Sequence, residues 1–218
     1  MLPIGDDDSA RRTVPVVTLI LIALNAIVFL LELNGGDAFI DRWAFVPSRF
    51  LADPLGEFLT IFTSMFMHAG WLHLGGNMLY LWIFGDNVED RLGHGLYIIF
   101  YILCGIAATL AQFLFTTQSS VPNVGASGAI AGVLGAYMLM FPRGRVNVLV
   151  GRGIVAMSAV AVIGFWILIQ VFSSIGEITA SSQTGSGGGV AYMAHIGGFV
   201  AGMLLTYLLG GTRRALPA

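Results

Sequence analysis

Residues 125–135 read GASGAIAGVLG, and eight of these eleven residues are Gly, Ala or Ser. A second stretch of similar character, residues 194–202, reads AHIGGFVAG. Both stretches hold glycines spaced four apart, at Gly128 and Gly132 and at Gly198 and Gly202. Because small residues at this spacing let two helix backbones approach closely, the stretches predict two helices in tight contact.

The rest of the chain supplies further helices of a membrane-spanning type. It has 218 residues, of which 56% are hydrophobic and 10% are charged, whereas a soluble domain carries roughly 25% charged residues. The net charge is −2 and basic blocks are absent from the sequence, which argues against a nucleic-acid partner. Six apolar runs approach the roughly 20 residues that a helical span requires, namely 14–33, 70–87, 94–115, 125–142, 152–172 and 190–210.

These runs predict an all-α membrane protein, a bundle of six transmembrane helices within residues 14–210. Residues 1–13 and 211–218 are then tails. With the N-terminus inside, the inner segments carry eight of the ten arginines and the outer segments carry Arg42 and Arg49. Because positive charge concentrates on the cytoplasmic side of membrane proteins, both tails are predicted to be cytoplasmic. The expected location is a bacterial inner or cell membrane.

Two outer loops differ from simple connectors. Residues 34–69 are rich in aromatic and apolar side chains, which indicates a long first loop partly embedded at the membrane interface. Residues 181–189 read SSQTGSGGG, a flexible composition that suits either a mobile cap or a plain linker.

Four polar side chains fall within the spans at one common depth. His73 and Asn77 lie near the start of the second span, Ser127 near the start of the fourth, and His195 near the start of the sixth. All three spans begin on the outer side, so each group lies within about 10 Å of its helix's outer end. Polar residues are costly inside membranes, so this shared depth makes them candidates for a functional site. By contrast, Asn25, Gln112 and Gln170 are interpreted as packing residues that bond neighbouring helices.

These four residue types suit nucleophilic catalysis. A serine hydroxyl becomes a strong nucleophile when a neutral imidazole accepts its proton, which Ser127 and His195 could do across the two glycine-rich helices. The side chains of Asn77 and His73 and the backbone N–H of Ser127 could stabilise an oxyanion. Acidic residues were not found at this depth, so a Ser-His dyad is expected, with Glu177 as the nearest acidic candidate.

Four segments resemble the motifs of the rhomboid family of intramembrane serine proteases. They are HAGWLHLGGN at 68–77, GDNVEDRLG at 85–93, GASGA at 125–129 and AHIGG at 194–198, and the resemblance covers roughly residues 43–210.

The resemblance implies six helices, a Ser-His dyad without cofactor or metal, and cleavage of transmembrane proteins in or near the lipid bilayer. It assigns Ser127 as nucleophile, His195 as base, Asn77 and His73 to the oxyanion hole, and His68 to structural support. It also implies an embedded hairpin in the first loop and a substrate gate formed by the fifth helix and loop. In one departure, Leu59-Thr60 stands where many relatives carry Trp-Arg, which puts the anchoring of the first loop in question.

Other classes of function remain as alternatives. A catalytically inactive relative that escorts membrane clients would not need all four site residues. A small transporter or channel would usually show internal repeats, which this sequence lacks. A metalloprotease built on His68, His73 and His195 lacks the H-E-x-x-H motif, and the first two histidines are five residues apart, off a shared helical face.

Overall fold

The structure, a computed structural model, describes residues 2–9, 11–184 and 191–211. Eight α-helices occur within these residues: α1 (Val16–Trp43), α2 (Pro47–Ala52), α3 (Thr60–Thr63), α4 (Trp71–Leu92), α5 (His94–Phe115), α6 (Ser127–Met140), α7 (Ala159–Thr184) and α8 (Tyr192–Leu208). A short 3-10 helix spans Ser64–Phe66. The prediction of a mainly helical chain is therefore confirmed.

The helix bounds differ from the predicted spans in α1, α4 and α7. Helix α4 continues five residues beyond the predicted end at 87, and α7 ends at Thr184 rather than at 172, so residues 181–184 of the predicted fifth loop are helical. Helix α1 continues ten residues beyond the predicted end at 33, through a break at Gly36, where φ is +57°. The predicted fifth span began at 152, but residues 153–158 form a strand and α7 begins only at Ala159. The stretch 153–158 is apolar and β-branched in part, and hydropathy alone does not separate such a strand from the start of a helix.

A three-stranded antiparallel sheet is the feature that the all-α prediction lacked. Its strands are β1 (Leu2–Asp6), β2 (Arg145–Val150) and β3 (Gly153–Ser158), in the spatial order β1-β2-β3. β2 and β3 form a hairpin between α6 and α7, and β1 adds to it from the predicted N-terminal tail. The segment 1–13 is thus not a free tail, because four of its residues pair with β2, with an irregularity in the register between Pro3 and Gly5.

Side chains at the end of β1 bind it to the helices. Asp6 accepts hydrogen bonds from the hydroxyl of Tyr137 on α6 at 2.6 Å and from the amide of Asn87 on α4 at 2.8 Å. The carboxylates of Asp6, Asp8 and Asp86 offer oxygens within 4.8 Å of one another. Burial, followed by the charges of Asp8 and Asp86, raises the pKa of Asp6 to about 7.

Glu89 on α4 holds the beginning of α1. Its carboxylate accepts hydrogen bonds from the backbone N–H groups of Val17 and Thr18 at 2.8 and 2.7 Å, and from the Thr18 hydroxyl at 2.7 Å. The first N–H groups of a helix have no partner within the helix, and they favour a negative charge. These three donors, together with Nδ1 of His94 at 2.5 Å from Oε1, stabilise a fully buried carboxylate.

Helix α6 forms the centre of the bundle and packs directly against α8. A methyl group added at Gly202 of α8 would lie 2.5 Å from the Cα of Gly132 on α6, and one added at Gly135 would lie 2.5 Å from the carbonyl oxygen of Phe199. Because an ordinary carbon–carbon contact is about 3.5–4.0 Å, these positions accept only glycine. The predicted close approach of two small-residue helices is confirmed.

The outward faces of several helices are apolar. Leu30 on α1, Ile99 on α5 and Leu204 on α8 are all more than half exposed. By length and composition, α1 and α5 are the described helices that could cross a membrane, while α6, α8 and residues 159–175 of α7 are shorter apolar helices. Exposed apolar surface of this extent indicates contact with lipid rather than with water.

Candidate active site

Ser127 is the first residue of α6, and the chain approaches it through a glycine in an unusual conformation. Gly125 has φ +135°, a value that side chains disfavour, and a methyl group there would lie 2.9 Å from Cε1 of His73. The Gly125 N–H donates to the carbonyl of Ser64, and the Asn123 N–H donates to that of Phe45. The first loop therefore fixes the turn that presents Ser127.

His195 lies in the first turn of α8, directly opposite. Its Nε2 is 2.8 Å from the Oγ of Ser127, a normal hydrogen-bond distance, and its side chain is buried. Gly128 and Gly198 explain this proximity, because a methyl group on Gly198 would lie 2.9 Å from the carbonyl carbon of Gly128. Two helices that touch at glycines beside Ser127 and His195 bring these side chains within bonding reach.

The second ring nitrogen of His195 also has a partner. Its Nδ1 lies 2.8 Å from Oε1 of Gln170 on α7, and its ring lies against that of Trp166 at a centroid separation of 5.5 Å. Gln170 was interpreted from sequence as a residue that bonds a neighbouring helix, and it does so, but its partner is the candidate base. The signal available in the sequence was the i, i+4 spacing of Trp166 and Gln170 on one face of the span.

The other two predicted packing residues make ordinary structural contacts. The side-chain oxygen of Gln112 on α5 accepts from the backbone N–H of Ala194 at 3.2 Å. Asn25 donates to the carbonyl of Leu21, one turn earlier in its own helix. Glu177, the acidic candidate predicted in the fifth loop, lies instead in α7, and its side chain lies outside the described residues.

Two potential donors face Ser127 from α4. Asn77 is buried, and among the described residues its Nδ2 has no hydrogen-bond partner. The Nδ1 of His73 accepts from the backbone N–H of Ala69 at 3.3 Å, so a neutral ring carries its proton on Nε2. The methyl position at Gly125 would lie 3.0 Å from that Nε2 and 3.5 Å from the Ser127 Oγ. Because Gly125 has no side chain, the space between Nε2 of His73 and the hydroxyl of Ser127 is open.

A cavity of about 900 Å³ joins these groups. Its walls come from α4, α6, α7, α8 and the loop before α6, and they include His73, Asn77, Tyr80, Asn123, Ser127, Ile130, Leu134, Trp166 and His195. All four of the sequence-predicted reactive residues therefore line one space, which extends along α6 past Ser127 to Leu134.

His68 lies behind this cavity and is almost fully buried. Its ring is 5.1 Å from that of His73 and packs edge-on against Phe29. Burial, followed by the neighbouring His73, lowers the pKa of His68 to about 4, so its ring is neutral. The backbone N–H of His68 donates to Glu32 at 2.9 Å.

Glu32 corrects the sequence reading that acidic residues are absent from the spans at this depth. It lies on α1, it is buried, and its bond to the His68 backbone connects α1 with the segment before α4. Glu32 is the penultimate residue of the predicted span 14–33, at its outer end. The structure places it against His68 rather than His195.

The first loop is anchored without the Trp-Arg pair of many relatives. The guanidinium of Arg49 donates to the carbonyls of Asp41 and Ala44 and pairs with Glu57 at 3.3 Å. Thr60, at one of the two departing positions, donates its hydroxyl to the carbonyl of Glu57 at 2.6 Å. Arg49 thus supplies the cationic anchor from a different place in the loop.

The described residues contain one group of three close metal-ligand side chains, Asp6, Asp8 and Asp86, and it lies with the sheet rather than at the cavity. The histidines His68, His73 and His195 do not form such a group. This arrangement disfavours the metalloprotease alternative.

Comparison with known proteins identifies a family. The family model of the Rhomboid domain matches residues 55–212. The chain is 32% identical over 198 residues to Rhomboid protease GluP of Bacillus subtilis (strain 168), covering 90% of this chain and 35% of that protein. It is 28% identical over 197 residues to Putative rhomboid protease YdcA of the same organism, covering 90% and 89%.

A mitochondrial relative extends the similarity to a eukaryote. The chain is 29% identical over 168 residues to Rhomboid protein 1, mitochondrial, of Saccharomyces cerevisiae (strain ATCC 204508 / S288c), covering 74% of this chain and 45% of that protein. It spans 35% to 65% of the length of the first three relatives it matches. Since the family model covers well over half of the chain, the protein belongs to the rhomboid family.

Proposed function

We propose that this protein is an intramembrane serine endopeptidase that cleaves transmembrane proteins within or near their membrane span. The observation that carries the proposal is the 2.8 Å contact between Ser127 Oγ and His195 Nε2 at the wall of a large cavity. The names of its relatives GluP and YdcA, which include the word protease, support the same activity.

Acylation would begin at Ser127. Its Oγ attacks the carbonyl carbon of the scissile peptide bond while His195 Nε2 takes the hydroxyl proton. The tetrahedral intermediate then collapses, the bond from carbon to nitrogen breaks, and the protonated imidazole gives its proton to the leaving amine. The result is an ester between Ser127 and the N-terminal part of the substrate, together with a free amine.

The oxyanion of that intermediate needs donors already in position. Candidate donors are the unpartnered Nδ2 of Asn77, the Nε2–H of His73 and the backbone N–H of Ser127, and all three residues line the same cavity. The N–H of Ser127 is the first of its helix and has no acceptor within α6, so it remains available. Each such donor is worth roughly 3–4 kcal/mol in a transition state of this type.

Deacylation would reverse the roles. Water attacks the ester carbon as His195 Nε2 accepts its proton, and the Ser127 oxygen then leaves as it regains a proton from the imidazolium. The products are a carboxylic acid and the original hydroxyl. The part of the cavity lined by Asn123 and Tyr80 could hold this water.

The membrane arrangement forms part of the proposal. Helices α1, α4, α5, α6, α7 and α8 correspond to six spans, with both termini cytoplasmic and with the active site near the outer surface. Eight arginines on one side support this orientation. A helical substrate hides its carbonyls in hydrogen bonds, so cleavage should favour segments with small or helix-breaking residues.

An inactive relative that only binds membrane clients is the second candidate. It would have no need for an aligned hydroxyl and imidazole or for an unpaired buried amide. The geometry of Ser127, His195 and Asn77 therefore favours the enzyme.

The test uses the purified full chain in liposomes with a panel of single-span substrates. Wild-type protein should release products, and Ser127→Ala should not. A fluorophosphonate should label wild-type protein at Ser127, and labelling should require His195. Ser174→Ala is the matched control, because Ser174 is also buried but its hydroxyl donates to the carbonyl of Val171 in its own helix.

Equal cleavage and labelling by wild type and Ser127→Ala would refute the nucleophile. Specific binding of substrates without turnover by the wild type would favour the inactive relative instead.

A further inference from the structure

Gln170 occupies the place that a carboxylate holds in a Ser-His-Asp triad. Its Oε1 is 2.8 Å from Nδ1 of His195, whose Nε2 is in turn 2.8 Å from Ser127 Oγ. Gln170 and His195 are both buried. We propose that Gln170 is the positioning residue of the candidate base, so that the site is a Ser127-His195-Gln170 triad completed by α7. This inference rests on the proposed proteolytic function.

The hydrogen-bond pattern fixes which atom of the amide faces the ring. The Gln170 NH₂ group lies 3.5 Å from the backbone carbonyl of Trp166, an acceptor that can face only a donor. The amide oxygen is therefore left for His195, and it requires a proton on Nδ1. With that proton fixed, Nε2 carries a lone pair and is ready to accept the proton of Ser127.

A neutral amide suits this buried position. A carboxylate would stabilise the charged imidazolium strongly, but it would itself have to be desolvated in an apolar bundle. Cysteine proteases of the papain type likewise use an amide side chain to orient their histidine. The amide thus selects the tautomer and the ring orientation without adding a charge inside the membrane domain.

Both contacts that orient the ring come from α7. Trp166 packs against the imidazole and Gln170 bonds its Nδ1, one helical turn apart. No other described side chain bonds Nδ1. If α7 moves outward by about 1 Å, this hydrogen bond exceeds its normal length and the ring loses its fixed orientation. Catalytic competence therefore depends on the position of α7, the helix that also forms one wall of the cavity.

The experiment compares Gln170→Met and Gln170→Glu with wild type, using both fluorophosphonate labelling rates and substrate cleavage across pH. Gln170→Met keeps the volume but removes the acceptor, and should lower kcat and the labelling rate roughly 10- to 100-fold with little change in KM. Gln170→Glu restores the acceptor, so it should recover part of the rate. Its carboxylate favours the protonated ring, and the acid limb of its pH–rate profile should therefore move to higher pH.

His73 and Tyr80, the other titratable side chains that line the cavity, are unchanged in every variant. Gln112→Met is the matched control: Gln112 is equally buried and also bonds α8, but at the backbone N–H of Ala194. It should lower thermal stability and leave the pH–rate profile in place.

The outcomes separate this inference from the proposed function. If wild type is labelled at Ser127 and Gln170→Met is labelled equally fast, Gln170 has no positioning role although the protease assignment stands. Equal rate losses in the Met and Glu variants with unmoved acid limbs would make Gln170 a packing residue. If wild type itself is neither labelled nor active, the proposed function fails.

Discussion

A larger residue at the contact between Gly128 and Gly198 would push the two candidate catalytic helices apart by a distance that follows from the structure. Gly198 lies three residues after His195, and Gly128 directly follows Ser127. In Gly198→Ala the new methyl carbon would lie 2.9 Å from the carbonyl carbon of Gly128 and closer still to its oxygen. Neither neighbour is the end of a flexible side chain, so the backbones themselves must separate.

The size of the displacement follows from ordinary contact distances. A methyl carbon packs about 3.3–3.6 Å from a carbonyl oxygen, and the Gly128 oxygen is the nearest atom, so the helices must part by more than about 1 Å. The Ser127–His195 hydrogen bond, now 2.8 Å, would then lengthen to more than about 3.8 Å, beyond the normal range. Misplacement on this scale costs about 100-fold in rate. Overpacking should also lower the free energy of unfolding by about 1–3 kcal/mol.

Two measurements check this reasoning. The kcat for a single-span substrate should fall about 100-fold in Gly198→Ala, and the midpoint of thermal unfolding should decrease. Gly164→Ala on α7 is the control, because a methyl group there meets no atom within 4 Å. It should retain wild-type values of both quantities. A Gly198→Ala protein with wild-type kcat would refute the claim that close helix approach sets the alignment of Ser127 and His195.

Three further predictions address other parts of the molecule. Asn77→Ala should reduce kcat by roughly 10²–10³-fold with little change in KM, because it removes an oxyanion donor; an unchanged kcat excludes Asn77 from the mechanism. Burial raises the pKa of Asp6 from 3.8 to about 7, so the wild type should lose stability as pH rises from about 4 to 7. Asp6→Asn should show a smaller loss in thermal unfolding, because only its buried neighbour Asp86 then contributes to it; equal pH dependence in both proteins would contradict this. Single cysteines in a Cys104→Ala background should react with impermeant thiol reagents on intact cells at residue 186 but not at residue 213, and the reverse pattern would invert the topology.

Most of the helical framework could be predicted from sequence because long apolar runs and glycine spacing are strong local signals. The shared membrane depth of His73, Asn77, Ser127 and His195 also followed from the spans and the arginines. Their meeting in one cavity follows from the packing of α6 on α8.

The features that sequence reasoning missed depend on contacts between distant residues. The strand at 153–158 was taken for helix because its partner at 145–150 and the added β1 are not local signals. The role of Gln170 was missed because a glutamine in a span has several ordinary structural explanations. The role of Glu32 depends on its bond to the backbone of His68, 36 residues later in the chain, which no local pattern indicates.

The sheet has a consequence for the order in which the chain is assembled. β1 pairs with β2 across roughly 140 residues, so its partner is synthesised long after β1 itself. At about 5–20 residues per second, this delay is roughly 7 to 28 s. During that interval the N–H and C=O groups of β1 remain unpaired, as in an open sheet edge. The sheet can therefore form only after synthesis has passed α6. A chain that stops earlier keeps an exposed strand that can pair with other chains.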